Sequence, residues 1–303
     1  MPVLKLGLSN PIVQAIDELG YTTPSSVQKQ AIPIILSGKD LIATAQTGKG
    51  KTAAFVLPLL TLLKKEGKEK KGYKERTLRG KRIRALILTP TRELTVQVAA
   101  NIVRYSKHVN LNSMAAYGGV DSEPQKQRLI EGIDILVATP GRLLDLARQR
   151  ALHFDELEVL VLDEADRMVD MSFADDIKKI IERLPADRQN LLFSATVNNG
   201  VRIFADHFSA RKMGRRAVEI SISPEDTVAP NIDQWLITAD KDTKSALLSH
   251  LIKEQKWDQE LIFVEKKHAA AKLVAQLAKR GIEADAIHGD RSQAMCEKIL
   301  ADF

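Results

Sequence analysis

Short apolar segments alternate with amphipathic segments along most of the chain. The apolar segments have the length of β-strands and lie at residues 40–45, 85–88, 113–117, 133–138, 159–162, 190–193 and 217–221. Around them, apolar residues at helical spacing predict helices at 12–19, 27–37, 53–63, 94–109, 125–130, 143–149 and 173–183. Apolar runs of this kind are typical of strands that are buried on both faces of a parallel sheet. The pattern therefore predicts a doubly wound α/β domain over residues 1–221.

A second region follows a break in this pattern. Residues 222–231 are polar and acidic and contain proline, which is typical of a linker. The alternation then restarts, with strands expected at 235–238, 261–264 and 284–287 and helices at 244–253 and 269–280. Residues 232–303 are few for another domain of this kind, because domains typically have about 100–150 residues. We therefore expect an incomplete second α/β domain.

Composition places the chain among ordinary globular proteins. It has 303 residues, of which 44% are hydrophobic and 28% are charged. The single cysteine, Cys296, excludes an intrachain disulfide framework and favours a reducing, intracellular setting. The N-terminal residues do not resemble a signal peptide, and no apolar run approaches the ~20 residues of a membrane span. These observations predict a cytoplasmic protein without a membrane partner.

The net charge of +6 is concentrated in one stretch. Residues 64–84 contain eleven basic and three acidic residues, a net charge of +8, which leaves about −2 for the remainder of the chain. This stretch has two interpretations, a solvated loop or an auxiliary contact with nucleic acid.

A glycine-rich segment directly follows the strand predicted at 40–45 and precedes a helix. Its residues are Ala45, Gln46, Thr47, Gly48, Lys49, Gly50, Lys51 and Thr52. The two glycines allow the backbone to turn successive N–H groups towards phosphate oxygens. Lys51 supplies a positive charge for the β- and γ-phosphates, and the Thr52 hydroxyl can ligate Mg²⁺. The segment therefore predicts a P-loop that binds a nucleoside triphosphate.

Three carboxylates follow the apolar segment at 159–162, namely Asp163, Glu164 and Asp166. Ligands of open α/β sheets bind beyond the carboxyl ends of the strands, where these acids lie. An acidic cluster at that position predicts a site for a cation and a water molecule beside the phosphates.

With these motifs in their order, the chain resembles the DEAD-box ATP-dependent RNA helicases, most closely the bacterial branch. The resemblance extends from about residue 6 to the C-terminus, and residues 163–166 spell the name of the family. It implies two RecA-like domains that close on ATP, Mg²⁺ and single-stranded or structured RNA. Within it, residues 1–33 would include the segment that recognises adenine.

The resemblance also implies a role for individual residues at the nucleotide. Gln28 would hydrogen-bond to adenine, Tyr21 would help to hold the base, and Thr23 would belong to the same segment. Asp163 would bind Mg²⁺ together with Thr52. Glu164 would position and deprotonate the attacking water, with Lys51 on the phosphates. Asp166 would link this site to Ser194 and Thr196, which would couple the nucleotide state to RNA.

A second set of motifs is similar to the RNA-contacting motifs of the family. The motifs lie at 90–94, 118–119 and 139–142, and their candidate RNA-binding residues are Thr91, Arg92, Gly119, Thr139 and Arg142. Arginine provides forked donors to phosphate oxygens, threonine provides a hydroxyl, and glycine allows a close approach of the backbone. Contacts of this type bind the RNA backbone and carry little sequence information.

The chain departs from the family pattern in three places. Val3 stands where the family has an aromatic residue, and Cys296 stands where an arginine would follow Gln293. The chain ends at Phe303, before the motifs that carry arginines to the γ-phosphate. Such arginines are worth about 10³–10⁵ in rate in related phosphoryl transfer. We therefore expect impaired ATP hydrolysis and unwinding.

Two alternatives to an RNA helicase remain. One is a catalytically impaired remnant that binds ATP and RNA. The other, a generic P-loop kinase or DNA helicase, is disfavoured by Gln28 and by the order of the RNA motifs.

Overall fold

The computed structural model describes residues 6–64, 83–170, 173–196, 200–202, 216–222 and 233–303. The described residues form seven strands in one sheet, in which every pair of neighbours is parallel. The strands are β1 (Leu41–Thr44), β2 (Ala85–Leu88), β3 (Ser113–Ala116), β4 (Ile135–Ala138), β5 (Val159–Leu162), β6 (Gln189–Ser194) and β7 (Val218–Ser221). The predicted α/β fold with a parallel sheet is confirmed.

The order of the strands is β3-β4-β2-β5-β6-β1-β7. Since the carboxyl ends of parallel strands lie at the same edge of a sheet, the loops that follow these strands meet there. Only β6 separates the loop after β1 from the acids after β5. The loops after β2, β4 and β3 follow in turn on the other side of β5. The sheet thus gathers at one edge segments that are far apart in the sequence.

Helices cover both faces of the sheet. Those of the sheet domain are α1 (Asn10–Glu18), α2 (Ser26–Leu36), α3 (Lys51–Lys64), α4 (Arg92–Tyr105), α5 (Glu123–Glu131), α6 (Pro140–Arg148), α7 (Ala165–Asp170) and α8 (Ala174–Ile181). Alternate strand residues face opposite layers. In β2, Ile87 packs with residues of α1–α4, whereas Leu86 and Leu88 pack with residues of α5–α8. The sheet is therefore buried on both faces, which explains its continuous apolar segments.

The observed elements match the predictions for the first domain within a few residues at each end. The strands at Ala85–Leu88 and Val159–Leu162 have the predicted limits. The sequence pattern missed α7, a helix of 6 residues that begins directly after the acidic cluster. It is short and three of its residues are charged, Asp166, Arg167 and Asp170, so no apolar periodicity marked it.

The chain divides into two compact units, Met1–Glu225 and Asp226–Phe303. The boundary falls within the predicted linker, of which 223–231 lie outside the described residues. Residues 65–82 of the basic stretch at 64–84 also lie outside them, as does Val3. Among the described helices, none is long and apolar enough to cross a membrane.

The second unit contains three helices among its described residues, α9 (Lys244–Gln255), α10 (Lys267–Ala278) and α11 (Gln293–Asp302). The strands predicted at 235–238, 261–264 and 284–287 are wrong, because these described segments form no strand. Leu236 is 90% exposed and Phe263 is 86% exposed. The apolar pattern was strand-like, but a strand also requires a partner that accepts its backbone hydrogen bonds.

Candidate functional site

The glycine-rich loop connects β1 to the first turn of α3. Ala45 N donates to Ser194 O over 3.1 Å, which continues the pairing of β1 with β6. Gly48 has a φ of +81° and Gly50 a φ of +86°, a left-handed conformation that favours glycine. Ala54 N donates to Gly50 O over 3.1 Å at the start of the helix, while the turn formed by residues 47–49 is exposed. The loop therefore presents its backbone at the N-terminus of α3, an arrangement that suits a phosphate.

Gln28 contacts this loop directly. Its side-chain Nε2 donates to Gly50 O over 3.2 Å, and its Oε1 accepts a hydrogen bond of 2.9 Å from Ser25 N. A Cβ added at Gly50 would lie 2.5 Å from that Nε2. Glycine is therefore favoured at position 50 for two reasons, its backbone conformation and the close approach of Gln28. The segment that precedes α2 is thus held against the phosphate loop.

Lys51 and Asp163 form the buried charged centre of the site. Lys51 is 7% exposed and Asp163 is 3% exposed. The Lys51 Nζ is buried without a hydrogen-bond partner among the described residues. Burial raises the pKa of Asp163 to about 7, although the nearby charge of Lys51 opposes this shift. A buried ammonium without a hydrogen bond is costly unless an anionic ligand satisfies it.

Glu164 adopts a strained backbone conformation beside Asp163. Its φ is +54°, which is rare for a residue other than glycine and is often found at functional sites. Its backbone N donates to Asp163 Oδ1 over 3.1 Å. Its carboxylate Oε2 lies 3.4 Å from Nη1 of Arg167, a residue that the sequence analysis did not single out.

Asp166 connects the end of β5 to the end of β6. Its Oδ2 accepts hydrogen bonds of 3.0 Å from both the backbone N and the hydroxyl of Thr196. The Ser194 hydroxyl donates to Thr196 O over 2.6 Å. Burial by itself raises the pKa of Asp166, but hydrogen bonds, first that of the Thr196 hydroxyl, lower it below the ordinary value. The structure therefore brings together the three residues that the resemblance linked.

Arg92 lies against the glycine pair that follows β3. Thr91 caps α4, since its hydroxyl accepts a 3.2 Å hydrogen bond from Leu94 N. A Cβ added at Gly119 would overlap the Arg92 guanidinium, and Gly119 has a φ of +83°. The first of the predicted RNA-contacting motifs, at 90–94, thus contacts the second, at 118–119.

Arg142 reaches the same loop from the N-terminal part of α6. Its Nη2 donates to Val120 O over 2.7 Å, and its Nη1 donates to Gln125 Oε1 over 3.3 Å. Thr139 precedes this helix, but its hydroxyl does not cap it. The predicted RNA residues on the ends of β2, β3 and β4 therefore form one group, beside the nucleotide residues on β5, β6 and β1.

The two remaining residues that were predicted to bind the nucleotide, Thr23 and Tyr21, are at the surface of the site. Thr23 is exposed, and Tyr21 is 39% exposed. The Tyr21 hydroxyl lies 3.1 Å from that of Tyr105 at the end of α4. Sequence reasoning missed Tyr105, because a buried aromatic residue on a helix gives no local signal for a role at a site 84 residues away in the chain.

The oxygen donors of the site favour a cation whose coordination is completed by a bound ligand. Within the described residues, no three carboxylate, imidazole or thiol groups converge on one point. The two oxygen donors predicted for the cation are Thr52, in the first turn of α3, and Asp163, directly after β5. Mg²⁺ is usually held by one or two carboxylates together with substrate phosphates rather than by a cage made of protein alone.

In the second unit, Gln293 and Cys296 are both buried on α11. The Gln293 Nε2 donates to Glu297 Oε1 over 3.1 Å. The described helix thus directs both of these residues away from solvent.

The sequence of this chain is similar to those of known helicases. A family model described as DEAD/DEAH box helicase matches residues 25–204. The chain is 38% identical over 296 residues to the ATP-dependent RNA helicase DeaD of Klebsiella pneumoniae, covering 97% of this chain and 43% of that protein. It is 35% identical to the DEAD-box ATP-dependent RNA helicase RhpA of Helicobacter pylori, covering 95% of this chain and 55% of the relative. The chain thus spans about half the length of these curated relatives.

Two solved structures are similar over nearly the whole chain. A DEAD box protein from the hyperthermophile Methanococcus jannaschii has a TM-score of 0.65 and 33% identity, covering 99% of this chain and 76% of the other. Dbp5 of S. cerevisiae, bound to RNA and ADP BeF3, has a TM-score of 0.82 and 26% identity, covering 99% of this chain and 72% of the other.

Proposed function

Because the chain belongs to the DEAD/DEAH box helicase family, we propose that it is an ATP-dependent RNA helicase that couples Mg·ATP binding and hydrolysis to local RNA unwinding or remodelling. The observation that carries the proposal is the buried Lys51 Nζ, which has no hydrogen-bond partner among the described residues. It lies at the end of a phosphate loop and close to the buried Asp163. A triphosphate supplies the anionic oxygens that this ammonium lacks, so the residues present fit Mg·ATP.

The hydrogen bonds of Gln28 support a preference for adenine. A carboxamide has two donor hydrogens and an acceptor oxygen with two lone pairs. Gly50 O takes one hydrogen and Ser25 N takes one lone pair, so one donor and one acceptor remain. Adenine offers a donor at N6 and an acceptor at N7, whereas guanine offers two acceptors at O6 and N7. The remaining groups of Gln28 therefore complement adenine and conflict with guanine.

The other residues of the loop and of β5 have distinct tasks. The backbone of residues 45–50 and Lys51 bind the phosphates, and Thr52 and Asp163 hold Mg²⁺. The ion supplies charge neutralisation on the phosphates when it is bound. Glu164 orients the attacking water and accepts its proton as a general base. Tyr21 and Thr23 complete the surface beside the base.

RNA is proposed to bind across the ends of β2, β4 and β3. Arg92 and Arg142 contact backbone phosphates, Thr91 and Thr139 offer hydroxyls, and Gly119 permits a close approach. Asp166, Thr196 and Ser194 connect this face to the nucleotide through their hydrogen bonds. Because β5 adjoins both β2 and β6, a shift of the acids on ATP binding reaches the RNA residues over a short path. The cytoplasmic location stays a prediction.

Binding of ATP and GTP tests the proposal. Isothermal titration calorimetry in the presence of Mg²⁺ is expected to show about tenfold or greater preference for ATP. Gln28→Ala is expected to remove this preference, whereas Gln127→Ala, an exposed glutamine on α5, is expected to retain it. Equal affinity of the unsubstituted chain for ATP and GTP would overturn the adenine assignment. Failure to bind either nucleotide would overturn the proposed function.

A second candidate function is an ATP- and RNA-binding protein with impaired catalysis. The observation that favours it is the absence of strands from the described residues of the second unit, together with the exposure of Leu236 and Phe263. Steady-state ATP hydrolysis with and without single-stranded RNA separates the two functions. Strong stimulation by RNA supports the helicase, and unchanged, slow hydrolysis with intact binding supports the second candidate.

A further inference from the structure

A pair of tyrosines joins the adenine segment to the C-terminal end of α4. The hydroxyl oxygens of Tyr21 and Tyr105 are 3.1 Å apart and share a hydrogen bond. Their rings form an edge-to-face pair, with centroids 6.0 Å apart and an interplanar angle of 88°. Tyr105 is 3% exposed and belongs to the core beneath α4. Tyr105 is thus fixed by packing, and it offers Tyr21 both a polar and an aromatic contact.

A second contact fixes the same junction. Glu18, three residues before Tyr21, lies 2.6 Å from Lys107 Nζ and 2.8 Å from His108 Nε2. These hydrogen bonds, first that of Lys107, lower the pKa of Glu18 to about 2. In addition, Tyr21 N donates to Ile16 O over 3.0 Å. The Glu18 ion pairs and this hydrogen bond therefore fix the backbone that leads to Tyr21. The orientation of the Tyr21 ring then depends on its side-chain contacts.

The remaining surface of Tyr21 is available to a ligand. The residue is 39% exposed although its hydroxyl is engaged by Tyr105. The contact with Tyr105 restricts rotation of the ring, and a residue that is restricted before binding loses less side-chain entropy when a ligand arrives. An aromatic ring that is fixed at one end and open on its other side is suited to contact a planar base.

We propose that Tyr105 is a positioning residue that orients the Tyr21 ring for adenine, an inference that rests on the proposed function because it requires Tyr21 to contact the base. Tyr105 itself touches neither the phosphates nor the base. Among the described residues, no hydrogen bond joins this tyrosine pair to Lys51 or to the phosphate loop, so its effect is expected at the base. The N-terminal end of α4, with Arg92, lies about 20 Å away along a helix of 14 residues.

Two tyrosine-to-phenylalanine substitutions and three probes test the inference on the full chain. Tyr105→Phe is expected to weaken ATP binding about fivefold, the value of one net hydrogen bond. Binding of inorganic tripolyphosphate, which lacks the base, is expected to be unchanged, as is binding of single-stranded RNA. Val103→Ala, at an exposed position of the same helix, is the control and is expected to bind ATP like the unsubstituted chain.

The double substitution distinguishes positioning from a general structural effect. If Tyr105 acts through the hydroxyl of Tyr21, Tyr21→Phe and Tyr105→Phe together weaken ATP binding no more than either alone. Losses that multiply, or a parallel loss of tripolyphosphate binding, would overturn the inference, as would unchanged ATP binding by Tyr105→Phe. Thermal unfolding of each variant verifies that it is folded. A lack of ATP binding by the unsubstituted chain would instead overturn the proposed function, and this inference with it.

Discussion

Gly48 and Gly50 share a left-handed backbone but have different surroundings. A Cβ at Gly48 would meet no atom within 4 Å, whereas a Cβ at Gly50 would lie 2.5 Å from Gln28 Nε2. Substitution to alanine at either position costs about 1–2 kcal/mol of stability through the backbone. Gly50 is therefore restricted by its conformation and by its neighbour, and Gly48 by its conformation alone.

We expect Gly50→Ala to destabilise the nucleotide-free chain more than Gly48→Ala. The additional loss is about 1–3 kcal/mol, because the Gln28 amide must leave its position against the loop. Urea unfolding of the two variants measures the difference. Equal losses for the two substitutions would show that the contact between Gln28 and Gly50 does not restrict this position.

Asp163 lowers the stability of the free chain at neutral and alkaline pH. Its pKa is about 7 in the folded chain, mainly because of burial, and about 4 when unfolded. Above pH 7 the folded state therefore contains a buried carboxylate that the unfolded state solvates freely. The cost has an upper limit of about 4 kcal/mol, and it disappears as the pH falls from about 7 to about 4.

Asp163→Asn is accordingly expected to raise the melting temperature of the free chain at about pH 8 and to have little effect near about pH 4. The same substitution is expected to weaken binding of Mg·ATP, because it removes the charge that is proposed to hold the ion. Thermal unfolding over this pH range, together with calorimetry, checks both outcomes. A lower melting temperature at pH 8 would contradict the prediction.

At the scale of elements, the proposed RNA face depends on the contact between α4 and the loop after β3. The Arg92 guanidinium occupies the space beside Gly119. A Cβ added at Gly118 would have only one atom within 4 Å, the Nη2 of Arg92 at 3.9 Å. Arg142 approaches the same loop through Val120 O. Two arginines from different helices are thus placed by one turn.

Gly119→Ala is expected to weaken binding of single-stranded RNA by about as much as Arg92→Ala, because the new methyl group displaces the guanidinium. Gly118→Ala is the matched control and is expected to change RNA affinity little. Fluorescence anisotropy with a labelled oligonucleotide measures both at constant salt, since phosphate contacts depend on ionic strength. Unchanged RNA affinity in Gly119→Ala would remove Arg92 from the proposed RNA face.

At the scale of the whole molecule, the two units differ in how their backbone groups are paired. The first unit has a seven-stranded sheet with helices on both faces. In the second unit, the amides of 235–238, 261–264 and 284–287 donate no backbone hydrogen bond to the described residues. A segment without such bonds is expected to be open to solvent exchange.

Hydrogen exchange is therefore expected to be rapid in these three segments and slow in β2 and β5. Mass spectrometry of peptides from the exchanged chain resolves the two classes. The helices α9, α10 and α11 are expected to exchange at intermediate rates, since their small core includes Ile252 and Leu277. Slow exchange at 261–264 would show that this segment pairs with another strand in solution.

Local signals in the sequence determined much of the fold and of the nucleotide site. Apolar segments of strand length predicted β1–β7, because a strand that is buried on both faces needs apolar residues at consecutive positions. The glycines and Lys51 predicted the phosphate loop, since backbone conformation and charge are properties of the residues themselves. The acids Asp163, Glu164 and Asp166 directly follow an apolar segment of strand length, so their place at the carboxyl edge of the sheet was also predicted from the sequence.

Only the tertiary structure decided which of these segments are neighbours. The strand order places β6 between the acids and the phosphate loop, and it brings Gln28 to Gly50, Arg92 to Gly119 and Tyr105 to Tyr21. These contacts join residues that are widely separated in the chain, so no local periodicity specifies them. The three strands expected after residue 232 show the same limit, because an apolar pattern makes a strand possible but a paired neighbour is needed to form it.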